Sequence, residues 1–472
     1  MEGLTISEVS SKALEFSGRI DAEYYRPEML RYEAAVKQQL AVKLGDEANF
    51  LIGPFGSSFT VENYTDDSSY RYIRGKDVKP LTLMENDNVY MPEADFTRLK
   101  RYALRENDIL VSVVGTLGNS AIVTKAVGPA VFSCKSTVVR PKSLNPKYLT
   151  VYLNCEYGYK LLVRKERGVI QTGLNLDDLK DMPVFRPSSA FQSRVAQAFD
   201  DALNLADLAK QKQAEAETAL LAALGLAGWT PPEPLTYTAR AADALTAARL
   251  DAQYFMPSKL QMIDALAALP GEVLGVRFKS VRDMFDPAKA DPDLLVRNFD
   301  LPDALETILD DEKKVVACED VGSLKKTMQN GDVAMSRLRA YLKETAVVRT
   351  GYDYPAVGSS EFLVLRPINL KTNRFAPETL MIFLRSPPVQ TILKWCQDGS
   401  QHPRFSERDL LAIPLPDAVA DASEAIEAMV QSAFAARARS RALLSAAKRA
   451  VEIAIEDGEA AALAWLEGLP SA

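Results

Sequence analysis

The stretch RIDAEYYRP at Arg19–Pro27 returns 230 residues later as RLDAQYFMP at Arg249–Pro257, with Arg, Asp, Ala, Tyr and Pro in identical places. Further segments align in the same order: YIRGKDV at Tyr72–Val78 with LVRNFDL at Leu295–Leu301, ENDIL at Glu106–Leu110 with NGDVA at Asn330–Ala334, and STVVRP at Ser136–Pro141 with FLVLRP at Phe362–Pro367. A repeat that keeps its order along the chain predicts that both halves contain the same series of elements.

Length and composition narrow the class of protein. The 472 residues are too many for one ordinary core, and 47% hydrophobic with 25% charged residues excludes wholesale disorder. The four cysteines form no CxxC pair and His402 is the only histidine, which argues against structural zinc and histidine-based catalysis. The longest apolar run, Leu220–Trp229, is about half a membrane span, and no secretory signal is evident. We expect a cytoplasmic protein that does not contact a membrane.

Each half begins with a helix and continues mostly as strands. The periodicity predicts an amphipathic helix from Pro27 to about Leu40 and another helix near Pro146–Lys160. The β-branched runs between them predict strands at Tyr70–Ile73, Ile109–Val114, Ala121–Thr124 and Ser136–Arg140. Asp108 and Asp332 stand just before matching strands, where a turn or capping role is expected. Arg19 with Asp21 and Arg249 with Asp251 are predicted to be local ion pairs.

A long alanine-rich helix closes each half. Apolar and small residues alternate spacings of three and four, which predicts a coiled-coil seam. The seam of the second copy contains Ile426, Met429, Ala433, Ala436, Ser440, Leu443, Ala447, Ala450 and Ala454. The seam of the first copy contains Phe191, Val195, Ala198, Ala202, Leu205, Ala209, Ala216, Ala219 and Ala223. A helix of some thirty-five residues spans roughly 50 Å, enough to hold two globular domains apart.

The charges are segregated. The net charge is -7, yet residues 135–186 hold 10 basic against 5 acidic residues and residues 325–408 hold 13 against 7. Such patches are typical of surfaces that bind nucleic acid, because Arg and Lys contact phosphates and base edges and polar side chains add hydrogen bonds. The candidates in the first half are Ser57, Ser58, Arg71, Arg74, Lys76, Lys135, Arg164, Lys165, Arg167, Gln171 and Thr172. The candidates in the second half are Lys325, Lys326, Arg337, Arg339, Lys343, Gln401, His402 and Arg404. For any single residue, plain solvation of a surface is the competing interpretation.

Motifs for catalysis are weak. The chain has no glycine-rich turn for S-adenosylmethionine, no Asn/Asp-Pro-Pro-aromatic loop for an extruded base and no P-loop. A nuclease-like pattern, Asp303 followed by Glu312 and Lys314, has no counterpart in the first half. The loop GPFGSS at Gly53–Ser58 suits phosphate contact and a plain strand connection equally well. We therefore expect no cofactor and no metal in this chain.

The residues resemble the specificity subunits of type I restriction-modification systems. The resemblance rests on GPFGSS, YIRGKDV, ENDILVSVVG and the run from YLTVYLN through GVIQTGLNLDDLKDMPVFRPS to FQSRV, and it covers nearly the whole chain. It implies an α+β fold of two pseudo-symmetric mixed α/β target-recognition domains, separated by two long antiparallel coiled-coil helices. The implied segments are 1–44 (N-terminal helical), 45–187 (first recognition domain), 188–227 (central spacer helix), 228–270 (linker and repeat-start helix), 271–417 (second recognition domain) and 418–472 (C-terminal spacer helix).

The resemblance also implies a function. The chain would be a non-catalytic subunit that reads two halves of a split double-stranded DNA target. Two methyltransferase subunits, which bind S-adenosylmethionine, would dock on it, and motor-nuclease subunits would join a cutting complex. The second copy departs from the pattern, with Phe285-Asp286-Pro287 near the place of GPFGSS. Two alternatives stay open: a metal-dependent nuclease using Asp303, Glu312 and Lys314, and an assembly scaffold that reads no DNA.

Overall fold

The computed structural model describes residues 5–12, 14, 18–85, 87–168 and 172–468. The chain divides into two compact units: Met1–Leu205 with Ala438–Ala472 forms unit 1, and Ala206–Arg437 forms unit 2. The two longest helices are Ser189–Ala223 and Ser423–Glu456. Each of them therefore contributes one segment to each unit, and unit 1 contains residues from both ends of the sequence.

Unit 1 contains nine strands among its described residues. They are β1 (Ala41–Lys43), β2 (Ala48–Ile52), β3 (Tyr70–Ile73), β4 (Tyr90–Met91), β5 (Ile109–Ser112), β6 (Ser120–Ile122), β7 (Ala130–Phe132), β8 (Ser136–Pro141) and β9 (Pro183–Phe185). Its shorter α-helices are Pro27–Gln38, Leu44–Glu47, Glu93–Arg98, Pro146–Asn154, Glu156–Val163, Leu176–Lys180 and Glu459–Glu467. The sheets have the orders β2-β8-β5-β6, β4-β3-β7 and β1-β9, and only the β3–β7 pair is parallel within this described set.

Unit 2 repeats these pairings. Its strands are β10 (Gly271–Val273), β11 (Phe278–Ser280), β12 (Met284–Phe285), β13 (Leu295–Phe299), β14 (Ile308–Asp310), β15 (Val316–Ala317), β16 (Lys325–Met328), β17 (Val333–Ser336), β18 (Thr345–Arg349), β19 (Ala356–Ser359), β20 (Phe362–Pro367) and β21 (Pro414–Pro416). Its shorter α-helices are Ala241–Ala247, Pro257–Ala267, Leu274–Arg277, Pro377–Arg385, Pro387–Cys396, Glu407–Leu411 and Asp417–Asp421. The sheets have the orders β11-β20-β17-β18-β14, β12-β16-β19-β13-β15 and β10-β21. The parallel pair β13–β19 corresponds to β3–β7, while β12, β14 and β16 are additions.

One buried ion pair recurs in both units. Arg140 donates two hydrogen bonds to Asp108, at 2.6 and 2.7 Å, and Arg366 donates two to Asp332, both at 2.8 Å. Each aspartate also accepts from the backbone N–H three residues earlier, at 2.8 Å in unit 1 and 2.9 Å in unit 2. The predicted turn role of Asp108 and Asp332 is confirmed. The arginine partners lie on β8 and β20, which pair with β5 and β17, the strands that follow the two turns.

The local ion pairs predicted at the repeat starts are also confirmed. Arg19 donates to Asp21 at 2.8 Å, and Arg249 donates to Asp251 at 2.5 Å. The hydrogen bond from the arginine is the largest cause of the lowered pKa of each carboxyl group. Arg19 also donates to the carbonyl of Glu166, so the pair ties the repeat start of unit 1 to a distant loop.

The helix predicted from Pro27 is confirmed, but the one predicted over Pro146–Lys160 is two helices. The break lies at Cys155, whose backbone is extended with ψ 167°, and its Sγ accepts from the N–H of Gly158 at 3.5 Å. A Cβ at Gly158 would lie 1.9 Å from the carbonyl oxygen of Tyr152. The close approach of the two helices therefore requires glycine, which apolar periodicity alone did not reveal.

The long helices bury the predicted seams, with one shift in register. In the second long helix, seven of the nine predicted seam residues are buried, and Met429 and Leu443 are partly buried. In the first long helix Leu220 is buried and Ala223 is exposed, and Leu224, the residue that follows the helix, is buried. A straight helix has 3.6 residues per turn, so its buried face drifts from a 3.5-residue repeat, and the prediction for Ala223 was wrong.

In unit 1 the chain runs in opposite directions along the two long helices. In unit 1, Ser188 donates to Glu459 at 2.9 Å and the Ser440 hydroxyl donates to the carbonyl of Ala202 at 2.6 Å. In unit 2, Arg437 donates to Gln213 at 3.5 Å. The unit 1 core also contains Val451 from the second long helix, so this helix completes the core of unit 1.

The architecture is α+β, with two mixed α/β units and two long helices, as predicted. Across the described chain, none of the helices has the length and apolar character needed to traverse a lipid bilayer.

Candidate nucleic-acid interface

Two loops of unit 1 meet at the turn Ser133–Lys135. Because β3 and β7 are parallel neighbours, the loops that follow them lie at one edge of the sheet. A Cβ at Gly75 would lie 2.8 Å from the Cβ of Lys135, and a Cβ at Gly53 would lie 2.3 Å from the carbonyl oxygen of Ser133. The structure therefore brings the GPFGSS loop and the loop after β3 onto this turn, and only glycine fits at Gly53.

The GPFGSS loop presents polar and aromatic groups to solvent. Ser57 is exposed and Ser58 is half-buried, with the Ser58 N–H bonded to the carbonyl of Phe55 at 2.8 Å. The side chain of Phe55 is 84% exposed. The sequence analysis did not single out Phe55, although an aromatic residue between Pro54 and Gly56 in a polar turn is a signal for a contact surface.

Arg74 and Lys76 share their charge with neighbouring carboxylates. Arg74 donates to Asp77 at 2.9 and 3.0 Å, and Lys76 donates to Asp87 at 2.9 Å. The hydrogen bond from Lys76, followed by the charge of Arg74, holds the pKa of Asp87 below its ordinary value. Lys76 is exposed, whereas Asp77 is buried and makes a capping interaction with the backbone of Arg74. These pairs fix the loop after β3.

Lys135 differs from Arg74 and Lys76. Its side chain is exposed and has no salt-bridge partner within the described residues. A lysine that no carboxylate neutralises, on a turn held by its own backbone, is suited to contact an external anion such as a phosphate.

Two of the predicted arginines of unit 1 point into the protein. Arg71 is 5% exposed, donates to the carbonyl of Met84, and has a pKa lowered by burial. Arg164 donates to Glu33 at 2.6 Å and to the carbonyl of Tyr24 at 2.7 Å. Both guanidinium groups thus have internal partners in this structure.

The remaining unit 1 candidates lie after the helix Glu156–Val163. Lys165 donates to the hydroxyl of Tyr24 at 3.3 Å, and Arg167 donates to Asp178 at 2.6 and 2.9 Å. Thr172 is half-buried. Gln171 lies outside the described residues.

In unit 2, two arginines converge on Glu361. Arg337 donates to it at 2.8 Å, and Arg404 donates at 2.8 and 3.1 Å. The hydrogen bonds from Arg404, and then from Arg337, lower the pKa of Glu361 to about 2. The three side chains form a cluster, here named the Glu361 cluster, with two cations on one carboxylate.

A second group of candidates lies beside this cluster. Arg339 donates to the carbonyl of Gln401 at 3.3 Å, and its guanidinium lies 3.1 Å from Nδ1 of His402. Arg404 donates to the carbonyl of His402 at 3.0 Å. The structure therefore brings Arg337, Arg339, Gln401, His402 and Arg404 together in one place, as their inclusion in one basic patch suggested.

Three lysines complete the candidates of unit 2. Lys325 and Lys326 lie on β16: the Lys325 side chain is 11% exposed, 3.9 Å from Asp300, and Lys326 donates to the carbonyl of Val281 at 2.9 Å. Lys343 is half-buried, with φ 54°. Lys325 pairs in register with Ser359 on β19, two residues before Glu361.

The Glu361 cluster occupies the position of the Lys135 turn in the other unit. The N–H of Lys135 bonds to Ser133 Oγ at 3.4 Å, and the N–H of Glu361 bonds to Ser359 Oγ at 3.3 Å. The carbonyl of Lys135 accepts from the N–H of Val113 at 2.9 Å, and that of Glu361 accepts from Arg337 at 3.1 Å. The two positions therefore have equivalent backbone bonding and opposite charge.

Asp303 of the nuclease-like pattern has a structural role in a 3-10 turn, Leu301–Glu306. Asp303 caps the backbone N–H of Asp300 at 2.7 Å and accepts from Lys313 at 2.7 Å. Over the described residues, no group of three or more His, Cys, Asp or Glu side chains is placed to hold a metal ion.

One part of the chain is similar to a known protein family. Residues 42–218 match the family described as "Type I restriction modification DNA specificity domain". This part of the chain is therefore similar to that family of domains. The predicted resemblance to the specificity subunits of type I restriction-modification systems is thereby confirmed.

The sequence identity to individual relatives is low. The type I restriction enzyme EcoBI specificity subunit of Escherichia coli is 29% identical over 109 residues, which is 23% of this chain and 23% of that protein. The chain thus aligns with about a quarter of that relative's length. A type I S subunit structure from M. genitalium covers 92% of this chain and 96% of its own, at 12% identity and a TM-score of 0.40. The HsdS subunit of Thermoanaerobacter tengcongensis covers 89% and 96%, at 15% identity and a TM-score of 0.28.

Proposed function

We propose that this chain is the DNA sequence-specificity subunit of a type I restriction-modification complex and catalyses no reaction itself. Unit 1 reads one half of a bipartite double-stranded target and unit 2 reads the other. The observation that carries the proposal is the recurrence of one surface turn, at Lys135 and at Glu361, beside basic side chains in both units. A duplicated reader with different side chains in its two copies suits an asymmetric split sequence.

The chemistry of the two surfaces supports reading rather than catalysis. Arginine forks and lysines contact phosphates and base edges, and exposed side chains such as Ser57 and Gln401 add hydrogen bonds. In the proposal, adenine methylation belongs to two methyltransferase subunits that bind S-adenosylmethionine, and cutting belongs to motor-nuclease subunits. The net charge of -7 is consistent with partner subunits that supply part of the phosphate affinity.

We infer that the length of the long helices sets the spacing between the two half-sequences. Seven residues add two helical turns, about 10.5 Å, which corresponds to about three base pairs. We would insert seven residues after Gln211 and seven beside Arg437, which contacts Gln213 in unit 2, so that the seams stay in register.

The readout is a genome-wide map of methylated adenines in cells that contain the complex. Deleting the gene should abolish methylation at one split motif, and the double insertion should lengthen the gap while both half-sequences stay the same. A matched insertion between Pro232 and Pro234, outside both helices, should leave the gap unchanged. Methylation that persists without the gene would refute the function, and an unchanged gap in a folded double insertion would refute the role of the helices.

A further inference from the structure

The loop between β17 and β18, Arg337–Lys343, differs from its counterpart Val113–Gly118 between β5 and β6. Both loops are closed by the same bond, since the Ser336 N–H donates to the carbonyl of Glu344 at 2.8 Å and the Ser112 N–H donates to that of Asn119 at 2.8 Å. Both also form a β-bridge to a residue that follows a helix: Leu338 to Arg404, after Pro387–Cys396, and Val114 to Gly173, after Glu156–Val163. The unit 2 loop is one residue longer.

The backbone of the unit 2 loop is left-handed at two basic residues. Arg339 has φ 50° and Lys343 has φ 54°, on either side of the 3-10 turn Ala340–Leu342. In unit 1, the corresponding left-handed residues are Gly115 and Gly118, with φ 90° and 82°. Side chains other than glycine rarely adopt this conformation, and where they do the surroundings must hold them. The second unit therefore keeps two basic side chains where the first unit uses glycine.

The surroundings that hold this loop are visible. Ala340 is 2% exposed in the unit 2 core, and the Arg339 N–H donates to the carbonyl of Pro403 at 2.8 Å. The carbonyl of Lys343 accepts from Arg385, a side chain whose pKa burial lowers to about 10. The Glu361 cluster holds the start of the loop through Arg337. The loop is thus anchored at its start, middle and end.

The anchored loop exposes an aromatic side chain. Tyr341 is 62% exposed and Leu342 is 38% exposed, whereas Leu117, the residue before the second glycine of the unit 1 loop, is 8% exposed and packs in the core. An exposed tyrosine between two basic residues on a fixed backbone loses little entropy when it binds. The cations suit phosphates, and the ring suits the edge or face of a base.

We propose that Tyr341 is the base-contacting side chain of unit 2 and that Arg339 and Lys343 place it against the DNA backbone. This inference rests on the proposed function, because it names the contact by which unit 2 reads its half of the target. Unit 1 does not use the same device, because its loop buries Leu117 and exposes Thr116 in place of an aromatic residue.

The test uses the intact complex and duplex DNA that carries the methylated motif mapped for the wild type. Tyr341→Ala should weaken binding about tenfold, equivalent to about 1.4 kcal/mol, and should relax base preference in one half-sequence only. Tyr341→Phe, which keeps the ring, should retain most of the affinity. Because Tyr341 is exposed, the unfolding temperature of the complex should not change.

Tyr352→Ala is the matched control. Tyr352 is 90% exposed and lies beyond the other end of β18, about 15 Å of extended strand away from the loop. Its substitution should leave binding and the motif unchanged. Wild-type affinity and an unchanged motif for Tyr341→Ala, or equal relaxation of both half-sequences, would overturn the inference. Absence of any split motif in the wild-type complex would instead refute the proposed function.

Discussion

The turn Ser133–Lys135 of unit 1 and the turn Ser359–Glu361 of unit 2 have equivalent backbone hydrogen bonds but opposite charges. In unit 1 the exposed Lys135 has no carboxylate partner within the described residues, whereas in unit 2 Glu361 is held by Arg337 and Arg404. The comparison shows that one scaffold carries a single exposed cation in one copy and a closed charge cluster in the other. A duplicated fold can thus keep its frame while the surface chemistry of each copy diverges.

The largest effect is expected where the two units are alike. Asp108 and Asp332 are each 1% exposed, and each accepts two hydrogen bonds from an arginine. Asp108→Asn and Asp332→Asn should each lower the free energy of unfolding by about 3 kcal/mol, because the arginine loses its charged partner at a buried site. Urea unfolding of the two variants measures this. A loss confined to one variant would show that the ion pair is not part of the shared frame.

A smaller loss is expected from the cluster that only unit 2 has. Glu361→Gln removes the carboxylate that Arg337 and Arg404 share, and it should lower the free energy of unfolding by about 1.5 kcal/mol. Asn substitution of the exposed Asp353 is a matched control that should have no effect. Wild-type stability of Glu361→Gln in urea would mean that the cluster does not hold the loop.

Substitution of Lys135 should change the affinity for DNA and leave the stability of the fold unchanged. Lys135→Gln should lower the slope of log affinity against log salt concentration by about 0.9, the value for one phosphate contact. The unfolding midpoint should stay at the wild-type value because the side chain is exposed. Titrations of labelled duplex over a salt series measure the slope, and an unchanged slope would exclude Lys135 from phosphate contact.

The smallest effect is the pH dependence of the Glu361 cluster. The arginines lower the pKa of Glu361 from its ordinary 4.5 to about 2. Its stabilising contribution is therefore complete above about pH 5 and is lost as the pH falls from the ordinary value through about 2. The difference in unfolding free energy between the wild type and Glu361→Gln should be constant from about pH 7 to 5 and should shrink below that. A difference that grows on acidification would contradict the assigned shift.

The sequence predicted which basic residues belong to one surface, but it did not predict which of them have partners inside the protein. Arg337, Arg339 and Arg404 stand in one basic segment, and the structure places them together. Arg164 is also an arginine in a basic segment, yet its guanidinium group binds Glu33, 131 residues away in the sequence. Partners so remote have no local pattern, so a charge count could not separate Arg164 from Lys135.

The amino-acid sequence by itself determined the duplication, the order of elements in each half, the long helices and most of their buried seams. Those features depend on local spacing and side-chain type, which the chain carries along its length. Only the tertiary structure decided that the second long helix completes the core of unit 1, that Gly53 must approach Ser133, and that Tyr341 is exposed where Leu117 is buried. Each of these depends on contacts between distant segments and on the backbone path, and neither composition nor periodicity records them.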